Sequence, residues 1–161
     1  GSSMTPDGRP TEKVVFIENG ILKNLNYDRY WAAKQGKEAT ALAFGAMKLM
    51  GGDSSIPQMI ASTERGILVT RFWYIRPVDQ RTILFTGLTR DGTFLIENGK
   101  VTHAIKNFRY NESPIFMLNN VEAMGAAVRV SASEDSSPGA AIIMPPLKLH
   151  DFNFTSLSDA V

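Results

Sequence analysis

Asn-Gly and Asp-Gly pairs set between short apolar runs constrain this chain more than any other feature. In Val14-Val15-Phe16-Ile17-Glu18-Asn19-Gly20-Ile21-Leu22-Lys23 an apolar run meets Asn-Gly and then a second apolar run. Asn and Gly tolerate the positive φ of a tight turn, so the segment predicts a β-hairpin. Phe94-Leu95-Ile96-Glu97-Asn98-Gly99-Lys100-Val101 repeats the device. The shared Ile-Glu-Asn-Gly is either an internal duplication or reuse of a good turn, and so short a match does not decide between them. A further hairpin is expected from Thr82–Leu88 and Thr93–Glu97, with Asp91-Gly92 in the turn.

Other strands follow from apolar runs and their stops. Ile67 to Ile75 is the longest, with large side chains on both faces and Pro77 ending it. Val101 to Arg109, Val128–Val130 and Ala140 to Met144 follow, the last stopped by Pro145-Pro146. Leu147 and Leu149 share one parity and Phe152 and Phe154 the other, which calls for a phase shift near His150-Asp151, most simply a β-bulge. Three helices are expected. One covers Tyr27 to Gln35 and stops at Gly36. The second opens on the capping box Ser55-Ile56-Pro57-Gln58 and runs to about Arg65, capped by Gly66. The third opens on Ser113-Pro114, carries Ile115, Leu118, Val121 and Glu122 at helical spacing, and closes at Gly125. Residues 37–53 read as loop and short strand, and Ser131 to Gly139 as a polar loop. Eight or nine strand candidates at hairpin spacing against three short helices give an α+β, predominantly antiparallel β fold. The sheet is expected to curl into a barrel or sandwich with the helices at its ends.

Composition narrows function. At 161 residues and 43% apolar, the chain suits one domain with its own core. Having no cysteine, it has no disulfide and no thiolate ligand for zinc. Seventeen basic against sixteen acidic residues leave no broad electrostatic footprint for nucleic acid or an anionic membrane. No apolar run approaches the ~20 residues of a bilayer span. Gly1-Ser2-Ser3-Met4 reads as a tag scar, giving residues 1–5 as scar and linker and 6–161 as a single domain.

Few residues point to chemistry. His103 and His150 lack metal-ligand spacing and read as strand residues at a surface or edge. No Gly-x-Ser-x-Gly elbow supports a hydrolase triad. Gly51-Gly52-Asp53-Ser54-Ser55 lacks the lysine of a phosphate loop and reads as loop and helix cap. Two polar clusters remain: Arg71, Arg76, Asp79 and Arg81 surround the aromatic run Phe72-Trp73-Tyr74, and Thr89-Arg90-Asp91 caps a hairpin. They form either an Arg/Asp network at a sheet rim or, since Trp, Tyr and Arg are enriched there, an interface. The expected binding or interface residues are Arg71, Trp73, Tyr74, Arg90 and Asp91, with no catalytic or metal residue.

Taken together, several motifs resemble the C-terminal domain of the TldD/PmbA family. They include Pro6-Asp7-Gly8-Arg9-Pro10-Thr11, Ile17-Glu18-Asn19-Gly20-Ile21-Leu22-Lys23, Tyr27-Asp28-Arg29-Tyr30 and Arg65-Gly66-Ile67-Leu68-Val69-Thr70-Arg71-Phe72-Trp73-Tyr74. Gly87-Leu88-Thr89-Arg90-Asp91-Gly92-Thr93-Phe94-Leu95-Ile96-Glu97-Asn98-Gly99-Lys100, Asn107-Phe108-Arg109-Tyr110-Asn111-Glu112-Ser113 and Pro146-Leu147-Lys148-Leu149-His150-Asp151-Phe152 extend the match. The resemblance implies a cytoplasmic two-domain protein of peptidase-like or gyrase-modulator type, working as a homodimer or as a heterodimer with a paralogue on a peptide or protein. It also implies zinc in the parent, held by two histidines of a His-Glu-x-x-x-His helix and a cysteine from this domain. That helix motif is absent here, and Ser133-Glu134-Asp135-Ser136 stands in the cysteine region without a thiol. The expectation is a domain inactive alone, without cofactor, nucleic acid or membrane, that shapes a peptide-binding cleft and a subunit interface. The alternatives are an active parent with Glu134 or Asp135 as the third zinc ligand, and a non-catalytic protein-binding module.

Overall fold

A computed structural model describes residues 3–42, 46–130 and 141–158. The chain groups into two compact units, one from Gly1–Lys48 with Val130–Ile142 and one from Leu49–Arg129 with Ile143–Val161. The class is α+β: among the described residues there are three short helices and mainly antiparallel strands. The strands divide among several sheets of two to four, with no closed barrel among the described residues.

In the first unit the Pro6-Asp7-Gly8-Arg9-Pro10 segment folds on its own polar groups. The Thr5 hydroxyl donates to the Asp7 carboxylate and accepts the Arg9 amide at 2.9 Å. Arg9 pairs with Asp7 at 3.0 Å and reaches the carbonyls of Ala39 and Thr40 at 2.6 and 3.1 Å, while Arg29 pairs with Asp7 at 2.7 Å. The Thr5 hydroxyl, helped by the two guanidiniums and opposed by partial desolvation, holds the Asp7 carboxyl down to about 2. The hairpin β1 (Ile17–Glu18) and β2 (Ile21–Leu22) turns on Asn19 and Gly20 at φ 51° and 75°. Helix α1 (Arg29–Gln35) is capped by Asp28, which accepts the Trp31 amide at 2.7 Å, and ends on left-handed Gly36. Strand β3 (Ala46–Lys48) lies in the stretch read as loop and short strand.

In the second unit α2 (Ile56–Ala61) has both halves of the Ser55/Gln58 capping box. It stops short of Arg65, because the hydroxyls of Ser62 and Thr63 turn back to the Met59 carbonyl at 3.0 and 2.8 Å. Gly66, expected as its cap, lies inside β4 (Arg65–Val69). Strands β5 (Phe72–Asp79), β6 (Leu84–Thr89), β7 (Thr93–Glu97), β8 (Lys100–Ala104) and β9 (Phe108–Glu112) follow. Next come α3 (Pro114–Asn119), β10 (Val121–Met124), β11 (Val128–Val130), β12 (Ala141–Met144), β13 (Leu147–Leu149) and β14 (Phe154–Leu157). One sheet has the order β4-β7-β8 and another β14-β9-β6-β5.

Three strand expectations are corrected at the corner between these sheets. The run Ile67–Ile75 divides at Thr70-Arg71 into β4 and β5, which belong to different sheets. Asp91-Gly92, at φ 59° and 136°, is a turn but does not fold β6 onto β7. Instead β4 pairs with β7 and β5 with β6, joined across the corner by Thr70 N–H to Gly92 O at 3.1 Å and Arg90 N–H to Arg71 O at 3.0 Å. The result is one bent two-stranded ribbon. The run Val101–Arg109 likewise breaks, between β8 and β9, at the same corner. Thr89 and Thr93, both buried, and Asn107 knot it together. The Thr93 hydroxyl lies 2.9 Å from that of Thr89 and 3.0 Å from the side-chain amide oxygen of Asn107, Oδ1, and the Phe108 amide donates to the Thr89 hydroxyl at 2.9 Å. Every hydroxyl in the knot has a partner, which a buried polar group requires. Pro77, expected to end a strand, sits within β5 at a register shift on the sheet edge, where no ladder donor is needed.

One face of the four-stranded sheet is core. Phe72, Phe108, Tyr110, Phe152 and Phe154 meet with ring centroids 4.9 to 5.5 Å apart. Burial pushes the Tyr110 phenol up to about 12. Gly87 is required below that ring, since a Cβ there would overlap the Tyr110 hydroxyl.

Two further expectations change. The Ser113 hydroxyl donates to the Thr82 carbonyl at 3.1 Å instead of capping α3. Val121 and Glu122 open β10 instead of continuing that helix, which ends before Gly125 is reached. Gly51 and Gly52 lie against this strand, with Gly52 N–H on Gly125 O at 2.9 Å and Ser54 N–H on Met124 O at 3.1 Å. A Cβ at Gly51 would meet the Gly125 oxygen and come within 2.5 Å of the Ala127 nitrogen. The Gly-Gly pair therefore serves backbone contact. The phase change near His150 occurs at Asp151, φ 53°, where the chain leaves β13, paired with β10, and joins β9 as β14. Bulges sit in both flanking ladders.

Candidate functional site

The outer face of the bent ribbon gathers most of the residues singled out by sequence. Cross-strand pairs Trp73–Leu88 and Leu88–Arg109 put these side chains in one row, and Arg76–Thr86–Asn111 forms another row of the same parity. Arg109 confirms the shared face by donating to the Thr86 hydroxyl at 3.3 Å. The neighbouring parity, with Phe72, Thr89, Gly87 and Tyr110, is the core side. Period-two alternation thus separates an aromatic core from an arginine-bearing surface.

At the corner, Arg71 and Arg90 approach the Trp73 ring, with guanidinium carbons 4.5 and 5.2 Å from its centroid. Both are within cation–π range. Asp91, held left-handed in its turn, pairs with Arg71 at 2.5 Å and with Arg90 at 3.9 Å. The structure therefore brings Arg71, Trp73, Arg90 and Asp91 together. Tyr74 stands apart from them: it lies in a bulge at φ 53°, with Arg76 4.4 Å from its ring centroid. Asp79 is spent on the β5–β6 turn, accepting from the Arg81 amide at 2.9 Å and the Thr82 hydroxyl at 3.0 Å. Arg109 is the member that sequence reading missed. Its register opposite Leu88 depends on pairing between β6 and β9, and its only sequence signal is the alternation Phe108-Arg109-Tyr110.

No donor set for zinc emerges. His103 lies exposed on β8, and the His150 ring nitrogen Nδ1 lies 2.8 Å from the Asp151 carboxylate. Among the described residues no three His, Cys, Asp or Glu side chains converge. Glu134 and Asp135 lie outside the described residues. With no cysteine in the chain, the described residues do not fit a zinc centre. Among the described residues no helix is long and apolar enough to cross a membrane.

Known proteins are similar to this chain in sequence and in fold. A protein described as a metalloprotease TldD homolog, from Buchnera aphidicola, is 28% identical over 135 residues, covering 76% of this chain and 28% of its own length. TldE from Thermococcus kodakarensis superposes with a TM-score of 0.75 at 23% identity, over 95% of this chain and 35% of that one. A candidate modulator of DNA gyrase from Bacteroides thetaiotaomicron gives 0.75 at 26% identity, over 97% of this chain and 33% of that one. The chain thus spans about a third or less of the relatives it matches. The family model for the PmbA/TldA metallopeptidase C-terminal domain matches residues 2–156, and the chain belongs to that family.

Proposed function

We propose that this chain is the C-terminal part of a cytoplasmic TldD/PmbA-type peptidase-like protein, in which it shapes a peptide-binding cleft and a subunit interface without cleaving peptides itself. The observation that carries this reading is β5. It lies at the edge of its sheet among the described residues and presents Trp73 between two arginines beside exposed Tyr74. An edge strand offers backbone donors and acceptors to an extended segment, and side chains of these types are enriched where proteins meet. Zinc and the hydrolytic step belong, in this reading, to the parent's other part.

The test is to incubate the purified chain with a fluorescently labelled unstructured peptide, with and without chelator. Retention of intact peptide, weakened by Trp73→Ala, is the expected result. Chelator-resistant cleavage would overturn the division of labour.

A further inference from the structure

We infer that the outer face of the β5–β6–β9 sheet selects acidic segments: the extended peptide it takes carries carboxylates at alternate positions. This rests on the peptide-binding reading above and specifies its chemistry. Arg71, Arg76, Arg90 and Arg109 share this face with Trp73, as the cross-strand pairs, the cation–π contacts and the Arg109–Thr86 bond establish. Asp91 pairs with two of them, Arg71 and Arg90. The whole chain is near neutral at +1, so this concentration of guanidiniums is local.

Three features favour a peptide carboxylate as the ligand group. Guanidinium forks match carboxylates in a bidentate geometry, and the Asp91 carboxylate already sits between two guanidiniums, one oxygen on Arg71 and the other toward Arg90. Side chains on one face of a segment paired along the β5 edge recur every second residue, as do Thr86 and Leu88 on the neighbouring β6. Trp73, whose ring receives both Arg71 and Arg90, holds these two guanidiniums side by side on the face. A nucleic acid would instead require a broad basic field, which the balanced composition does not provide.

The experiment uses the 161-residue chain and three labelled extended peptides that differ only at alternate positions, bearing Glu, Gln or Lys. A labelled single-stranded oligonucleotide is measured in parallel by anisotropy. The Glu peptide is expected to bind about tenfold more tightly than its Gln twin at low salt, with the advantage shrinking as salt rises. Arg71→Gln and Arg109→Gln should each cost roughly three- to tenfold for the Glu peptide alone, and Arg109→Lys should recover part of the loss. The Glu/Gln comparison on the unaltered chain needs no variant to fold. Equal binding of Glu and Gln peptides overturns the acidic preference and leaves peptide binding standing. No binding by any peptide overturns the reading beneath it, and tighter binding of the oligonucleotide assigns the face to nucleic acid instead.

Discussion

The hairpins β1–β2 and β7–β8 carry the same Ile-Glu-Asn-Gly, and their turns coincide. Asn19 and Gly20 have φ of 51° and 75°; Asn98 and Gly99 have 49° and 76°. Register is also the same, with Glu18 opposite Ile21 and Glu97 opposite Lys100. Beyond the turn they differ. The first has two-residue strands with Ile17 57% exposed, while the second has five-residue strands with Ile96 5% exposed. The second pairs with β4 on its far side, and its turn docks on the end of α2, with Asn98 N–H on Glu64 O at 2.7 Å and Gly99 N–H on Thr63 O at 2.9 Å. Four residues dictate a turn; neighbours dictate how far the ladder extends.

The largest effect expected from this comparison is in the paired isoleucines. Ile96→Ala should cost about 2–5 kcal/mol in urea unfolding, and Ile17→Ala less than about 0.5 kcal/mol. Equal costs would mean that burial does not separate the hairpins. Next are the turn glycines. Gly20→Ala should lose about 1–2 kcal/mol from its left-handed backbone alone, since a Cβ there meets nothing within 4 Å. Gly99→Ala incurs the same backbone cost and also sets a Cβ 2.7 Å from the Ala61 carbonyl oxygen. It should therefore lose about 1–3 kcal/mol more.

The smallest effects are those of pH, and they fall on opposite sides of neutrality. Asp7, in the unit of the first hairpin, is held at about 2 against an ordinary 3.8, so its stabilisation is present above 3.8 and is lost as pH falls toward 2. Tyr110, in the unit of the second, is raised to about 12 from 10, so its contribution is present below pH 10 and is lost as pH rises toward 12. The two tryptophans, Trp31 and Trp73, lie one in each unit and can report them separately. Asp7→Asn should flatten the acid limb seen by Trp31, and Tyr110→Phe the alkaline limb seen by Trp73. A variant that leaves its limb unchanged would locate that limb elsewhere.

Turn and cap chemistry was legible in the sequence because it is local. Asn-Gly, the stop at Gly36, and Ser55 with Gln58 satisfy backbone groups only a few residues away, although the helix before Gly36 starts at Arg29 with Asp28 as its cap and not at Tyr27. Glycine was ambiguous where its role is steric. Gly66 and Gly125 read as helix ends, yet a Cβ at either would press on Thr63 or on Pro146 and Ser54. Alternation disclosed which residues share a face of a strand but not which strand lies beside it. The ribbon's passage from one sheet to the other at Thr70-Arg71 and Arg90–Gly92 was therefore hidden. For the same reason Arg71 with Trp73, and Arg90 with Asp91, were visible as two local clusters, whereas their meeting at the corner needed the β5–β6 pairing and Arg109 the β6–β9 pairing.

The Thr89–Thr93–Asn107 knot makes the corner a counting device. Sliding one ribbon strand past its neighbour by two residues, the smallest slip that keeps the aromatic face inward, moves a hydroxyl by about 7 Å. Buried Thr89 and Thr93 would then lose their Asn107 and Phe108 partners together. Each orphaned group costs about 1–3 kcal/mol, so slipped pairings are penalised several times over at a single point. That penalty fixes the register of β9 against β6, and with it the place of Arg109 opposite Leu88 on the outer face.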